Sequence, residues 1–325
     1  MRSKRILNPN NYHHVISRIA HKEFLFTKDE RKRFTDLLWR VADFSGVEVA
    51  TFAVVSNHFH ILVHVPAREE VDDAELHRRM VALYGATRTE RYEEDWQTWT
   101  DDGQLDRVDA AKKRLRDRMY DLPNFVKTLK ETYTKDYNRR TGHTGTLWES
   151  RFTSILVGKD FRTLMTLATY IDANPVKAGL VDRASRYVWC GFGAAMMGDR
   201  RTRRSIRKLV ATALALPMER LSEDDALSRY AQELDRLRKG CATGGISPND
   251  MAMLKSAMES GTLSVEQAAG FCHVSCFERG GAIGSAEFIC FLVGKTCSVQ
   301  HIRPGFMDSG LYTAHGVRGS IITSA

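Results

Sequence analysis

The stretch VEVATFAVVSNHFHILVHV (47–65) holds two apolar, β-branched runs joined at Ser56-Asn57. That pair suits a tight turn, so the stretch predicts a β-hairpin, closed by Pro66. Successive side chains on a strand point to opposite faces, which sends His58 and His60 to one side and Phe59 to the other. Two imidazoles at that spacing can converge on one metal ion, although His-x-His alone is a weak pattern. His64 shares the face, four residues further along.

Upstream, residues 13–20 (HHVISRIA) read as a strand, and Phe34, Leu37, Leu38, Val41 and Phe44 recur at helical spacing until Gly46 stops the helix. Downstream, residues 67–121 are charged and helical in composition, an insertion or lid. Phe125, Leu129, Tyr133 and Tyr137 then share one face of a helix that follows Pro123. TLWESRFTSILV (146–157) reads as a further strand. Asp160 caps a last helix through Leu164, Leu167 and Tyr170, expected to end near Asn174 because Pro175 follows. The order β-α-β-β-α-β with one further helix predicts an α+β fold, a ferredoxin-like split βαβ domain with an antiparallel sheet.

Tyr170 and Asn174 are four apart, so a helix places a phenolic oxygen and an amide oxygen on one face. Read blandly, Tyr170 is a half-buried helix residue and Asn174 a helix stop. With their neighbours these residues resemble the HUH single-tyrosine transposases, in particular those associated with repetitive extragenic palindromes. The resemblance is carried by YHHVISR (12–18), SNHFHILV (56–63), YNRR (137–140) with GTLWESRF (145–152), and YIDANPVKAGLV (170–181). It covers about residues 10–190, taken as the catalytic domain 1–190.

The resemblance implies that His58, His60 and Asn174 bind a divalent ion, Mg2+ or Mn2+, and that Tyr170 joins covalently to DNA. The implied reaction is metal-dependent cleavage and rejoining of single-stranded DNA through a 5′-phosphotyrosine, on hairpin-forming palindromic repeats. The family contains dimers and monomers, and both stay open. Asp172 stands where relatives usually carry histidine or another residue, which leaves open whether it joins the metal shell. Residues 270–325 also resemble the C-terminal extension of longer relatives.

A formal charge of +8 suits a polyanionic partner. Arg18, Arg139, Arg140, Arg151 and Lys177 lie beside the motif segments as candidates for backbone phosphates, and Trp148 and Phe152 for base stacking; a solvated basic face with core aromatics is the alternative. MRSKRILNPNN opens the chain without the apolar core of a secretory signal, and no apolar run approaches a bilayer span. A cytoplasmic, nucleoid-associated location without membrane contact is therefore expected.

The character changes after about residue 190, with a basic run, GDRRTRRSIRK (198–208), followed by helical segments. Residues 191–325 are expected to form a mainly helical extension. LSVEQAA (263–269) opens with a capping-box pattern and continues much as a helix-turn-helix would, with plain helical packing as the alternative. Cys272, His273 and Cys276, with Cys297 and His301, lack a convincing zinc spacing, and the cysteines among them read as buried free thiols. Two rival functions stand beside strand transfer: a catalytically silent, sequence-specific DNA-binding protein of the same fold, and a metal hydrolase, for which the hairpin supplies too few ligands.

Overall fold

The computed structural model describes residues 10–240, 282–284, 301–304 and 312–315. The first half runs β1 (Asn11–Arg18), α1 (Lys28–Ser45), β2 (Glu48–Val54), β3 (His58–Val65), α2 (Asp73–Tyr84), α3 (Ala86–Asp101), α4 (Leu105–Arg116) and α5 (Leu122–Thr141). It continues with β4 (Thr153–Val157), α6 (Phe161–Lys177), α7 (Gly191–Met196), α8 (Arg200–Ala213) and α9 (Glu223–Gly240), and with the short strands β5 (Ala282–Gly284), β6 (His301–Pro304) and β7 (Tyr312–His315). The sheet order is β2-β3-β1-β4-β5-β7-β6. Its first four strands are antiparallel neighbours in the ferredoxin-like order, and β5 then pairs parallel with β4.

The hairpin forms where the sequence places it, closed by the Val55 N–H donating to His58 O at 3.0 Å. α1 begins on the Thr27 side chain and ends at Gly46, whose φ is +69°. That positive φ favours glycine, and a Cβ there would also press on the Tyr120 ring at 2.7 Å.

β3 is covered on both faces. Phe59, Ile61 and Val63 point towards α1 and α5, into a core with Phe34, Leu38, Phe125 and Tyr133. Phe34 lies 4.8 Å from Phe59 and 5.2 Å from Tyr133, centroid to centroid. The insertion belongs to this layer: α2 packs on α1, and Leu76, Met80, Trp96, Val108 and Leu115 join the same core. It is therefore no lid over the histidine face. On the other side, Leu62 meets a second core built by α6, α8 and α9.

Three expectations are corrected. Of residues 146–157 only Thr153–Val157 form a strand; further back the chain keeps a single bridge between Trp148 and Ile19. α6 does not end at Asn174 but runs through Pro175 to Lys177. The change of character near residue 190 is no break in packing, because Ile206, Leu209, Val210 and Tyr230 share one core with Leu167 and Ile171. The basic run forms α8, and several of its cations are already engaged: Arg201 with Asp43, Arg203 with Glu223 and Asp224, and Lys208 with Glu48. The helix-turn-helix and zinc readings fall largely outside the described residues.

The shared core makes α8 part of the folding unit. Leu209→Ala should cost about 3 kcal/mol, lowering Tm by roughly 6–10 °C. A chain ended at Gly198 should lose cooperative unfolding altogether. Circular dichroism melts check both, and an unchanged melt of the truncated chain would show α8 to be dispensable.

Candidate active site

Alternation along β3 sends His58 and His60 towards α6. Their rings lie 5.0 Å apart, His60 fully buried and His58 partly exposed. The Asn57 amide donates from Nδ2 to Lys22 O at 3.1 Å, which turns its Oδ1 towards His58 Nδ1, 2.8 Å away. An amide oxygen only accepts, so His58 carries its proton on Nδ1 and keeps a lone pair at Nε2.

His60 gains a neighbour that sequence reasoning did not assign to the site. His14, on β1, lies with Nε2 3.0 Å from His60 Nδ1, the two rings stacked at 5.2 Å. Burial, reinforced by His14, His58, Lys177 and Arg18, holds His60 well below the usual imidazole range, so it is neutral. Its Nε2 is buried and has no hydrogen-bond partner among the described residues. A lone pair there needs the proton on Nδ1, donated to His14 Nε2, as imidazole ligands are commonly oriented. His14 was legible only as part of a motif, because strand register, not spacing, brings it to His60. His64 is not part of this group; it pairs with Glu48 at 2.8 Å and lies 3.0 Å from Asn10.

α6 begins on Asp160, whose side chain accepts from Thr163 N. Tyr170 is 1% exposed, with its ring edge-on to His60 at 6.2 Å. Lys177 Nζ lies 4.0 Å from the Tyr170 ring centroid. Asn174, one turn on, is also buried. Among the described residues no group of three His, Cys, Asp or Glu is arranged to hold a metal ion. The candidate set is therefore two imidazoles and an amide oxygen. The unpartnered His60 Nε2 fits such a role.

Asp172 faces elsewhere, about 200° around α6 from Tyr170. Its carboxylate accepts from Thr51 Oγ1 at 2.7 Å, Tyr230 OH at 2.5 Å and Phe192 N at 3.0 Å. Burial pushes its pKa up to about 6 against these donors. Asp172 thus ties α6 to β2, α7 and α9.

The candidate DNA contacts divide. Trp148 is a core residue, 7% exposed, donating to Thr134 Oγ1 at 2.9 Å and packed 5.6 Å from Phe59. Arg140 grips Glu30 through two bonds of 2.8 and 2.9 Å and also holds Asp136. Glu30 in turn accepts from Tyr133 OH, which commits that tyrosine to the core. Trp148 faces the interior, whereas Arg140 stays partly accessible at the surface with its guanidinium engaged by Glu30 and Asp136. Arg139 and Arg151 are exposed, and Arg18 is partly so.

A family model described as "Transposase IS200 like" matches residues 8–80, a span that holds His14, His58 and His60 and stops short of Tyr170. A solved structure of the REP-associated tyrosine transposase bound to a REP hairpin is similar at 15% identity and a TM-score of 0.39. That match covers 61% of this chain and 86% of the other. No curated protein matches the chain.

Because Asp172 faces α7 and α9, Asp172→Ala should destabilise without touching the histidines. Stranding three buried donors should cost about 3 kcal/mol, read as a lower Tm. Mn2+ affinity by calorimetry should stay unchanged; a fall would return Asp172 to the metal shell.

Proposed function

We propose that the chain is a metal-dependent transposase that cleaves and rejoins single-stranded DNA, with Tyr170 as nucleophile. The observation that carries this reading is the meeting of a buried, neutral His60, its Nε2 unpartnered, with the ring of Tyr170 on the face that also carries Asn174. The match to IS200-like transposases over the histidine segment supports it.

His58, His60 and Asn174 would hold Mg2+ or Mn2+, which when bound draws negative charge from a non-bridging phosphate oxygen. The chain's own groups supply the rest. Tyr170 gives up its phenolic proton to solvent and forms a bond from that oxygen to phosphorus as the bond to the 3′-oxygen breaks, the departing oxygen taking a proton back from solvent. The departing oxygen becomes a free 3′-hydroxyl, while the 5′-phosphate stays on the tyrosine. That hydroxyl can later attack the same linkage, so bond energy is conserved. The Lys177 ammonium, 4.0 Å from the ring centroid, stabilises negative charge developing on the phenol. His14 holds His60 in one tautomer.

Arg18, Arg139, Arg151 and Lys177 are the proposed phosphate contacts, on a hairpin-bearing single strand. A stacked duplex hinders laying one phosphate in line with Tyr170, so strand separation is part of the substrate. A second reading, a DNA-binding protein without strand transfer, draws on the burial of Tyr170 at 1% exposure. No helix among the described residues is long and apolar enough to cross a membrane.

A suicide oligonucleotide carrying a hairpin should leave DNA on the Tyr170 peptide through a 5′-phosphate. Tyr170→Phe should abolish the adduct and cut cleavage by about 10⁴-fold or more, with most DNA affinity kept. EDTA or His60→Ala should stop cleavage while phosphate-driven binding persists. An adduct that survives Tyr170→Phe overturns the nucleophile, and binding with no cleavage under any metal favours the silent reading.

A further inference from the structure

A proline inside a helix removes one N–H from the ladder. At Pro175 the carbonyl left without its main-chain donor is that of Ile171, four residues back. Asn174 fills the gap, its Nδ2 donating to Ile171 O at 3.3 Å and to Tyr170 O at 3.0 Å. Both partners are carbonyl oxygens, which only accept, so the amide nitrogen is the atom that must face them. The helix therefore fixes which way the amide points. Its Oδ1 is turned off the backbone.

We propose that Pro175 is a positioning residue for Asn174: by leaving the Ile171 carbonyl without a main-chain donor, it holds the amide nitrogen on the helix and frees Oδ1 for a cation. The proposal rests on the assignment of Asn174 as a metal ligand. It accounts for an amide, rather than a carboxylate, at this position. Aspartate would bring more charge to a divalent ion, yet here it would set its oxygens against two carbonyl oxygens in a site 5% exposed. Asparagine donates on one side and accepts on the other. With alanine in place of the proline the ladder closes on its own N–H, the amide is left with Tyr170 O alone, and its orientation is held less firmly.

The test uses the full chain and its Pro175→Ala, Asn174→Asp and doubly substituted forms. Thermal unfolding in EDTA reads the backbone coupling with no metal present. Asn174→Asp should lower Tm by about 5 °C or more, and Pro175→Ala should leave Tm unchanged or raise it. The double variant should recover about half the loss, because the main-chain N–H restored by Pro175→Ala relieves the Ile171 carbonyl. Purely additive shifts overturn the proposal. Mn2+ titration gives the second readout: Pro175→Ala should bind about tenfold more weakly, as when a group orienting a ligand is lost. Unchanged affinity in a folded Pro175→Ala protein also overturns it. With the coupling intact, an Asn174→Ala protein that keeps full Mn2+ affinity overturns the ligand assignment instead, so the two failures are distinguishable.

Discussion

The site depends on β3 being buried on both faces. A strand between two helical layers has no solvent side, so each residue is committed to one core or the other. Phe59, Ile61 and Val63 are claimed by the layer of α1 and α5, which leaves His58 and His60 on the layer of α6. A slip of one residue would exchange these sets, driving imidazoles into an aromatic core. The tight turn at Ser56-Asn57 and the packing of Phe59 between Phe34 and Trp148 resist that slip. The same burial strips water from His60 and keeps it uncharged. Packing thus sets both the position and the protonation state of the group.

α6 answers to two constituencies. One side carries Tyr170 against His60, with Asn174 one turn further along; the other carries Asp172 into a buried knot of hydroxyl and amide donors from β2, α7 and α9. The helix is therefore clamped from behind by groups that do not touch the candidate chemistry. This gives the helices after residue 190 a role in the site at a distance, because they hold the partners of Asp172.

Much of the four-stranded unit was legible because its signals are local. The alternation of 47–65, the three- and four-residue spacing from Phe34 to Phe44, and the glycine at 46 each specify an element from near neighbours. What stayed hidden depends on tertiary partners. The chain could not announce that Asn174 would repair the gap left by Pro175, so a helix break was the natural reading. That Trp148 donates to Thr134 and Arg140 pairs with Glu30 could not be read from neighbours in the sequence. His14 needed the β1–β3 register to reach His60. The basic run of α8 is amphipathic, but its acidic partners lie on distant segments. Of the candidate site, Tyr170 and Asn174 were set together by helical spacing and His58 and His60 by strand spacing; the meeting of Tyr170 with His60 required the fold.

The parallel pairing of β5 with β4 carries a consequence for biosynthesis. In the four-stranded unit β4 is an outer strand, with a row of main-chain groups open to pairing. Leu156 and Val157 meet Ala282 and Ile283 there, and β7 and β6 continue the sheet outward. The partner that covers this edge begins at Ala282 and so leaves the ribosome well after β4 itself. Until it arrives, the nascent protein carries an apolar, unpaired strand edge, the kind of surface on which chains of the same sequence add to one another. Closing that contact brings together residues far apart in the chain, so it is expected among the slower steps of folding. Premature termination before Ala282 would make the exposure permanent, and the shortened product would tend to self-associate through the uncovered edge.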